Sequence, residues 1–286
     1  TGGMSWANVN RQFDKRNVWA LAALPGTESR VFAATGRGLF SSTSRGASWV
    51  PAQRGLVATS ISALAVDPEG TIFAGGSGVF ASRDTGTTWE PIHDGEGFGR
   101  DQPLELYVSS LAAEPRAPGT VYAGTLGGGV YVTGNGGVRW APADAGLDDL
   151  LVHGLALDAS ATTTLLYAAT GSGGVFKSPD AGATWEPRNE GLTDLTVRTV
   201  VVDPTDPLRL WAGTGGGGVF RSTDAAENWA PSLPSRDVYG ILVDPSDPNR
   251  VYVGTTDGLF RTLNGGTSWA KSDTGITFQF VFTIAL

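Results

Sequence analysis

The apolar residues of this chain come in short runs, each stopped by Gly, Asp or Pro, and the runs recur in a fixed order. The first run of each set is Val18-Trp19-Ala20-Leu21-Ala22, then Ile61–Val66, Val108–Ala113, Val152–Leu157, Val197–Val202 and Val238–Val243, with a last copy at Phe280–Ile284. Three of them are followed by Asp-Pro, at Asp67-Pro68, Asp203-Pro204 and Asp244-Pro245. Pro ends a ladder there, because its ring fixes φ and leaves no N–H to donate. The second run is Val31–Ala34, Thr71–Ala74, Val121–Gly124, Leu166–Ala169, Leu210–Gly213 and Val251–Gly254. The third follows a glycine, as in Gly38-Leu39-Phe40, Gly78-Val79-Phe80 and Gly174-Val175-Phe176. Short runs rich in β-branched and aromatic residues, bounded by turn formers, read as strands. No stretch carries the 3.6-residue period of an amphipathic helix of useful length. The pattern predicts an all-β chain with four strands per repeat, the fourth begun by a recurring Trp.

Between the third and fourth strands lies an octet that organises each repeat. Ser82-Arg83-Asp84-Thr85-Gly86-Thr87-Thr88-Trp89 returns as Ser178-Pro179-Asp180-Ala181-Gly182-Ala183-Thr184-Trp185, and weaker copies end at Trp6, Trp49, Trp140, Trp229 and Trp269. Asp in a turn accepts hydrogen bonds from nearby backbone donors. Gly supplies positive φ at no steric cost, and the Trp brings a large apolar surface to a sheet interface. Successive octet tryptophans lie 40 to 51 residues apart, the period of a β-propeller blade.

Counting strands gives six complete sets of four, with a fourth-strand signal at Trp6 and a first-strand signal at Phe280–Leu286 left over. A seven-bladed ring with an incomplete closing blade is the preferred expectation, and a six-bladed ring is the alternative. The whole of 1–286 is expected to be one propeller domain, part of a longer chain or assembly.

Composition narrows the function classes. The 41 Gly follow no triplet period, so they belong to tight turns. A net charge of -8 disfavours nucleic acid, which is bound by neutralising phosphates. The chain has no Cys, which removes disulfides and thiolate metal sites. No apolar run approaches the roughly 20 residues of a membrane helix, so no membrane insertion is expected, and Thr1-Gly2-Gly3-Met4 does not resemble a signal peptide. Arg outnumbers Lys 17 to 3, a bias expected of a GC-rich bacterial genome.

Chemistry is expected where loops are long. The second-to-third turns, such as Leu126-Gly127-Gly128-Gly129 and Thr214-Gly215-Gly216-Gly217, hold almost no functional side chain. The fourth-to-first connections hold most of the ionisable residues, and loops on a rigid scaffold are where binding concentrates. The longest, Glu90–Tyr107, contributes His93, Asp94, Arg100 and Asp101. Arg54, Asp148, Asp149, Arg188, Asp194, Arg236 and Asp237 complete the candidate binding set. A carboxylate pair such as Asp148-Asp149 could hold a general acid or base, although adjacent aspartates are more often solvated loop. His153 falls in a first strand, where packing or lining a channel suits it better than catalysis. Gly215–Gly218 lacks the Lys and the strand-to-helix setting of a phosphate loop. One octet carboxylate falls short of the six to eight oxygens of a Ca²⁺ site, so the octets are expected to be structural. No metal and no cofactor is expected.

The pattern Ser-x-Asp-x-Gly-x-x-Trp resembles the Asp-box, or BNR, repeat. The match is strict through Ser82, Asp84, Gly86 and Trp89 and through Ser178, Asp180, Gly182 and Trp185. It departs where Ser44, Asn135 and Asn264 take the Asp position and Ala226 a Gly position. Propellers of this kind include sialidases, xyloglucan-cleaving glycoside hydrolases, sortilin-type receptors and Ycf48-like photosystem II assembly factors. The Gly-Leu step after the Trp (Gly55-Leu56, Gly146-Leu147, Gly191-Leu192, with Gly275-Ile276) is similar to the Ycf48-like and xyloglucanase-like branches. A sialidase is disfavoured, since no Arg-Ile-Pro motif stands near the start. The resemblance narrows the fold without choosing a role. The short second-to-third turns leave little room for a substrate cleft and mixed-sign loops suit recognition, so the expectation is an extracytoplasmic, non-catalytic binding or scaffold propeller, periplasmic or secreted, that docks a protein or glycan through its long-loop face. One alternative is a glycoside hydrolase acting on β-glucans such as xyloglucan. It would need two carboxylates across a cleft, for which Asp94, Asp101, Asp148 and Asp149 are candidates by location. Another is a structural module of a larger complex, with strands supplied in trans.

Overall fold

In a computed structural model of the chain, the described residues are 5–7, 9, 17–24, 30–57, 60–92, 107–160, 162–276 and 280–285. Every regular element among them is a β-strand, and the strands form six four-stranded sheets. Each sheet is an antiparallel meander in chain order. The first is Val18–Ala23, Val31–Thr35, Gly38–Ser42 and Val50–Pro51. The other five follow the same plan over 61–91, 108–142, 152–187, 197–234 and 238–271. The fold is a β-propeller, and the sheets are blades 1 to 6.

Two expectations are corrected. The described residues make six blades, not seven, so the six-bladed alternative holds. Residues 280–285 form no strand, since among the described residues every strand is paired within one of the six sheets. The fourth strands begin directly after the octet Trp rather than with it, and five of the six span two residues, the exception being Ala230–Pro234.

The strands divide into two compact units, one of residues 9–145 and 150–152 and the other of 1–8, 146–149 and 153–286. Within each, the core lies in the seams between consecutive blades. In the first unit, Phe32 and Leu39 of blade 1 pack with Ile61, Ile72, Phe80 and Trp89 of blade 2. Phe73 and Val79 of blade 2 in turn meet Val108, Val121 and Trp140 of blade 3. In the second unit, Tyr167 and Val175 meet Val197, Leu210, Phe220 and Trp229, and Trp211 and Val219 meet Val238, Val251 and Phe260. Alternation along each strand sends neighbouring side chains to opposite seams. Each fully buried aromatic contributes about 1.5–3 kcal/mol by the area it removes from water.

The octets close one end of every blade by a shared hydrogen-bond plan. The first hydroxyl accepts from the backbone N–H four residues on, at Ser42 (2.9 Å), Ser82 (2.8 Å), Thr133 (3.0 Å), Ser178 (2.8 Å), Ser222 (3.0 Å) and Thr262 (3.0 Å). The glycine at that point of blade 2, Gly86, has φ +84°, and a Cβ there would lie 2.3 Å from the Phe32 ring of blade 1.

Octet tryptophans of blades 2 to 6 also lock onto the preceding blade. Trp89 N–H donates to Arg54 O (2.8 Å) and Trp229 N–H to Glu190 O (2.8 Å), in each case five residues past the previous octet Trp. The indoles of Trp140 and Trp229 donate to Ile92 O and Arg188 O, both at 2.9 Å and three residues past it. The Gly-Leu step lies at the next point of this contact. A Cβ on Gly55, Gly146 or Gly191 would sit 2.1, 2.5 or 2.1 Å from the carbonyl of Trp89, Trp185 or Trp229. The step is therefore a seam requirement, and only Gly lets the two backbones approach that closely.

Candidate functional site

The blade ends opposite the octets carry the second-to-third turns and the fourth-to-first connections. Several carboxylates on those connections hold the glycine-rich turns. Asp149 Oδ2 accepts from Ser172 N (2.6 Å), Ser172 Oγ (3.0 Å) and Gly173 N (2.9 Å) in its own blade. Asp194 does the same one blade later, accepting from Gly217 N (2.8 Å) and Thr196 N (3.0 Å). Partial burial disfavours ionisation at Asp194, but the Gly217 and Thr196 donors more than offset it, and its carboxyl lies below the ordinary range. Asn189 completes the set, taking Val175 N–H (2.8 Å) and donating to Gly173 O (2.8 Å). Asp144 lies against Gly129, and burial raises its carboxyl above the usual value.

A second feature follows from an irregularity in the first strands. In blades 1, 2, 3, 5 and 6 the register between first and second strand slips at the second residue, skipping Trp19, Ser62, Ser109, Arg198 and Tyr239. A bulge re-aims the residue it leaves unpaired. In the second unit this brings together a cationic and aromatic row. The Arg198 guanidinium lies 4.4 Å from the Tyr239 ring centroid and 3.3 Å from Asp237 Oδ1. Tyr239 meets Phe282 edge to face at 5.0 Å, and Phe280 stacks on Phe282 at 6.2 Å. His153, half-buried in the first strand of blade 4, belongs to the same row. Burial and then the Arg198 charge lower its pKa, and Asp149 works in the opposite direction. In the other unit, Trp19 is 38% exposed.

The predicted site residues are thus only partly gathered. Asp149, Asp194 and Asp237 lie close to the row, two of them as turn caps. Asp148 and Arg54 are exposed. Arg236 lies over Phe260 at 4.6 Å and pairs with Asp257 at 3.5 Å. Arg188 stands apart, because its side chain runs to Glu186 (2.8 Å) and to Glu227 (3.2 Å) of the next octet. His93, Asp94, Arg100 and Asp101 lie outside the described residues. Arg198 and Tyr239 are absent from the candidate set, although their shared signal, the second place of a first strand, is visible in the repeat. Among the described residues no group of three or more His, Asp or Glu side chains is placed to hold a metal ion.

No protein-family model and no curated protein matches the sequence. Solved structures resemble it in fold. The GH74 xyloglucanase of Xanthomonas campestris superposes with a TM-score of 0.75 at 18% identity, over 95% of this chain and 50% of that one. The chain spans about half the length of this enzyme, and 47% of the GH74 enzyme of Niastella koreensis. YCF48 bound to D1 peptide gives a TM-score of 0.66 at 20% identity, over 91% of this chain and 88% of that one. The extracellular domain of BT4673 from B. thetaiotaomicron gives 0.72 at 14% identity, over 95% and 36%. The neighbours thus include a glycoside hydrolase, a protein solved with a peptide bound and an extracellular domain, all sharing the propeller fold.

Proposed function

We propose that this chain is an extracytoplasmic, non-catalytic binding propeller of the Asp-box kind, docking a protein or glycan at the blade ends that carry the long connections. The observation that carries this reading is the use of the carboxylates. Asp149 and Asp194 are committed to backbone donors of the glycine turns, so neither is a free acid or base. The half-buried row beside them is planar and cationic, with Arg198 over Tyr239, and such a surface attracts aromatic faces. YCF48 with its peptide and the extracellular domain of BT4673 support a ligand-docking role. Asp148, Arg236 and Asp237, on the same connections, complete the proposed surface around Arg198 and Tyr239. No cofactor, nucleic acid or membrane partner enters the proposal.

A second reading, cleavage of β-glucans, rests on the likeness to the xyloglucanase. A polysaccharide panel separates the two. Retention on one glycan or peptide without release of reducing ends, weakened about tenfold by Arg198→Ala, is the expected result. Reducing ends that disappear in Asp94→Asn or Asp101→Asn would replace it with the hydrolase.

A further inference from the structure

We propose that Asn135 and Asn264 are modification sites, at which the octets of blades 3 and 6 lose ammonia and become carboxylate octets like those built on Asp84, Asp180 and Asp224.

The chemistry needs only water. The backbone nitrogen of the following residue gives up its proton and attacks the side-chain amide carbon Cγ. The Cγ–Nδ2 bond breaks, ammonia leaves, and a five-membered succinimide closes. Water then opens the ring. Cleavage of the new N–Cγ bond restores the main chain and leaves a carboxylate, whereas cleavage of the original peptide bond leaves isoaspartate. At neutral pH each conversion adds one negative charge. A following glycine favours the attack, because no Cβ obstructs the approach. Asn135 and Asn264 are the asparagines of this sequence that precede glycine, whereas Asn189, Asn228 and Asn249 precede Glu, Trp and Arg.

The octet prepares the carbon that is attacked. Asn135 Oδ1 accepts from Thr133 Oγ1 at 2.9 Å and from Arg139 N at 3.0 Å. Asn264 Oδ1 accepts from Thr262 Oγ1 at 2.8 Å and from Ser268 N at 3.0 Å. Negative charge builds on this oxygen as the nitrogen adds, and two donors already in place stabilise it as an oxyanion hole does. Both side chains are exposed, so water reaches the ring. The product has a place ready as well. Asp84 Oδ1 accepts from the equivalent pair, Ser82 Oγ and Thr88 N, both at 2.8 Å. Asn264 Nδ2 now donates to Ser268 Oγ at 2.9 Å. Once that nitrogen is replaced by oxygen, the Ser268 hydroxyl can donate to it as Thr88 does to Asp84.

The same turn carries a brake. The Gly136 amide donates to Gly119 O and the Gly265 amide to Asn249 O, both at 2.9 Å. While that bond lasts the attacking nitrogen keeps its proton. The acceptor residues are themselves tied by carboxylates, Gly119 N to Asp67 Oδ2 and Asn249 N to Asp247 Oδ1, each at 3.3 Å. Conversion therefore runs at the rate at which one turn opens locally, and it records the age of the folded chain.

The test is incubation of the folded chain in mildly alkaline water enriched in heavy oxygen, followed by digestion and mass spectrometry. The peptides that hold Asn135 and Asn264 should take up the label before those holding Asn189, Asn228 or Asn249. Asp247→Ala loosens the brake in blade 6 alone, so the rate at Asn264 should rise about tenfold, the worth of one hydrogen bond, while Asn135 keeps its rate. Asn264→Asp, which makes the product directly, should leave the urea midpoint at neutral pH unchanged or raised. The proposal falls if neither peptide is labelled or if another asparagine reacts first. It falls equally if Asp247→Ala leaves the Asn264 rate unchanged or raises both rates alike, or if Asn264→Asp lowers the midpoint. None of these results depends on glycan or partner binding at the long connections.

Discussion

Three octets carry a carboxylate at their third position, Asp84, Asp180 and Asp224, and three do not, with Ser44, Asn135 and Asn264 there. The turn is nevertheless the same. The third-position oxygen accepts from the backbone N–H four residues on at 2.8 Å for Asp84, 2.8 Å for Asp180 and 2.9 Å for Asp224. The uncharged versions do so at 2.9 Å for Ser44, 3.0 Å for Asn135 and 3.0 Å for Asn264. A side-chain bond to that same residue also occurs in uncharged octets, between Ser44 Oγ and Ser48 Oγ at 3.0 Å and from Asn264 Nδ2 to Ser268 Oγ at 2.9 Å, and in the charged ones it ends on the carboxylate. Thr88, Thr184 and Asn228 donate to the second carboxylate oxygen at 2.5, 2.7 and 2.9 Å. An oxygen at this point is thus what the turn needs, and the charge is an addition to it.

The largest effect should ignore the distinction. Trp89→Ala in a charged octet and Trp140→Ala in an uncharged one each empty a buried seam, and each should cost about 3–5 kcal/mol in urea unfolding. A loss confined to Trp89→Ala would show that the charge, not the indole, closes the seam. Next come the hydroxyls. Ser82→Ala and Thr133→Val strand the N–H of Gly86 and Gly137 inside the turn, so each should cost about 1–3 kcal/mol. The smallest change is Asp84→Asn, which keeps the first acceptor and should cost under about 1 kcal/mol, because the exposed carboxylate is screened by water.

Acid sharpens the last of these. The Thr88 hydroxyl and then its amide hold the Asp84 carboxyl at about 2, against an ordinary 3.8. Its folded-state value is the lower one, so its contribution is complete above about pH 4 and is lost as pH falls towards 2. The stability gap between the native chain and Asp84→Asn, followed by urea midpoints from neutral pH downward, should therefore close on acidification. A gap that stays constant would mean that the carboxylate acts by shape alone.

Most of the fold was legible because its signals are local. The strand runs and the octet hydroxyl with its acceptor lie within a few residues of one another, and the octet spacing repeats six times. The blade count was not legible in the same way, since Phe280–Ile284 reads as a strand whether or not a second strand stands beside it. The carboxylates were legible as residues but not as roles. Asp149 and Asp194 look like free loop acids until their glycine donors, 24 and 23 residues away, fold back onto them. The row of Arg198 and Tyr239 depends on a bulge, and a one-residue slip leaves no mark in composition. It is visible only by aligning the second place of every first strand.

The seam contacts of Trp229 all run to residues three, five and six past Trp185. The modular boundary of this protein therefore falls just after that glycine step rather than at either end of a sheet. A graft cut between Leu192 and Val197 would carry each indole socket together with its own sheet and meet the next indole in the native geometry. A graft cut inside an octet would part every socket from its plug, which makes the connection from Leu192 to Val197 the natural place to lengthen, shorten or transplant this architecture.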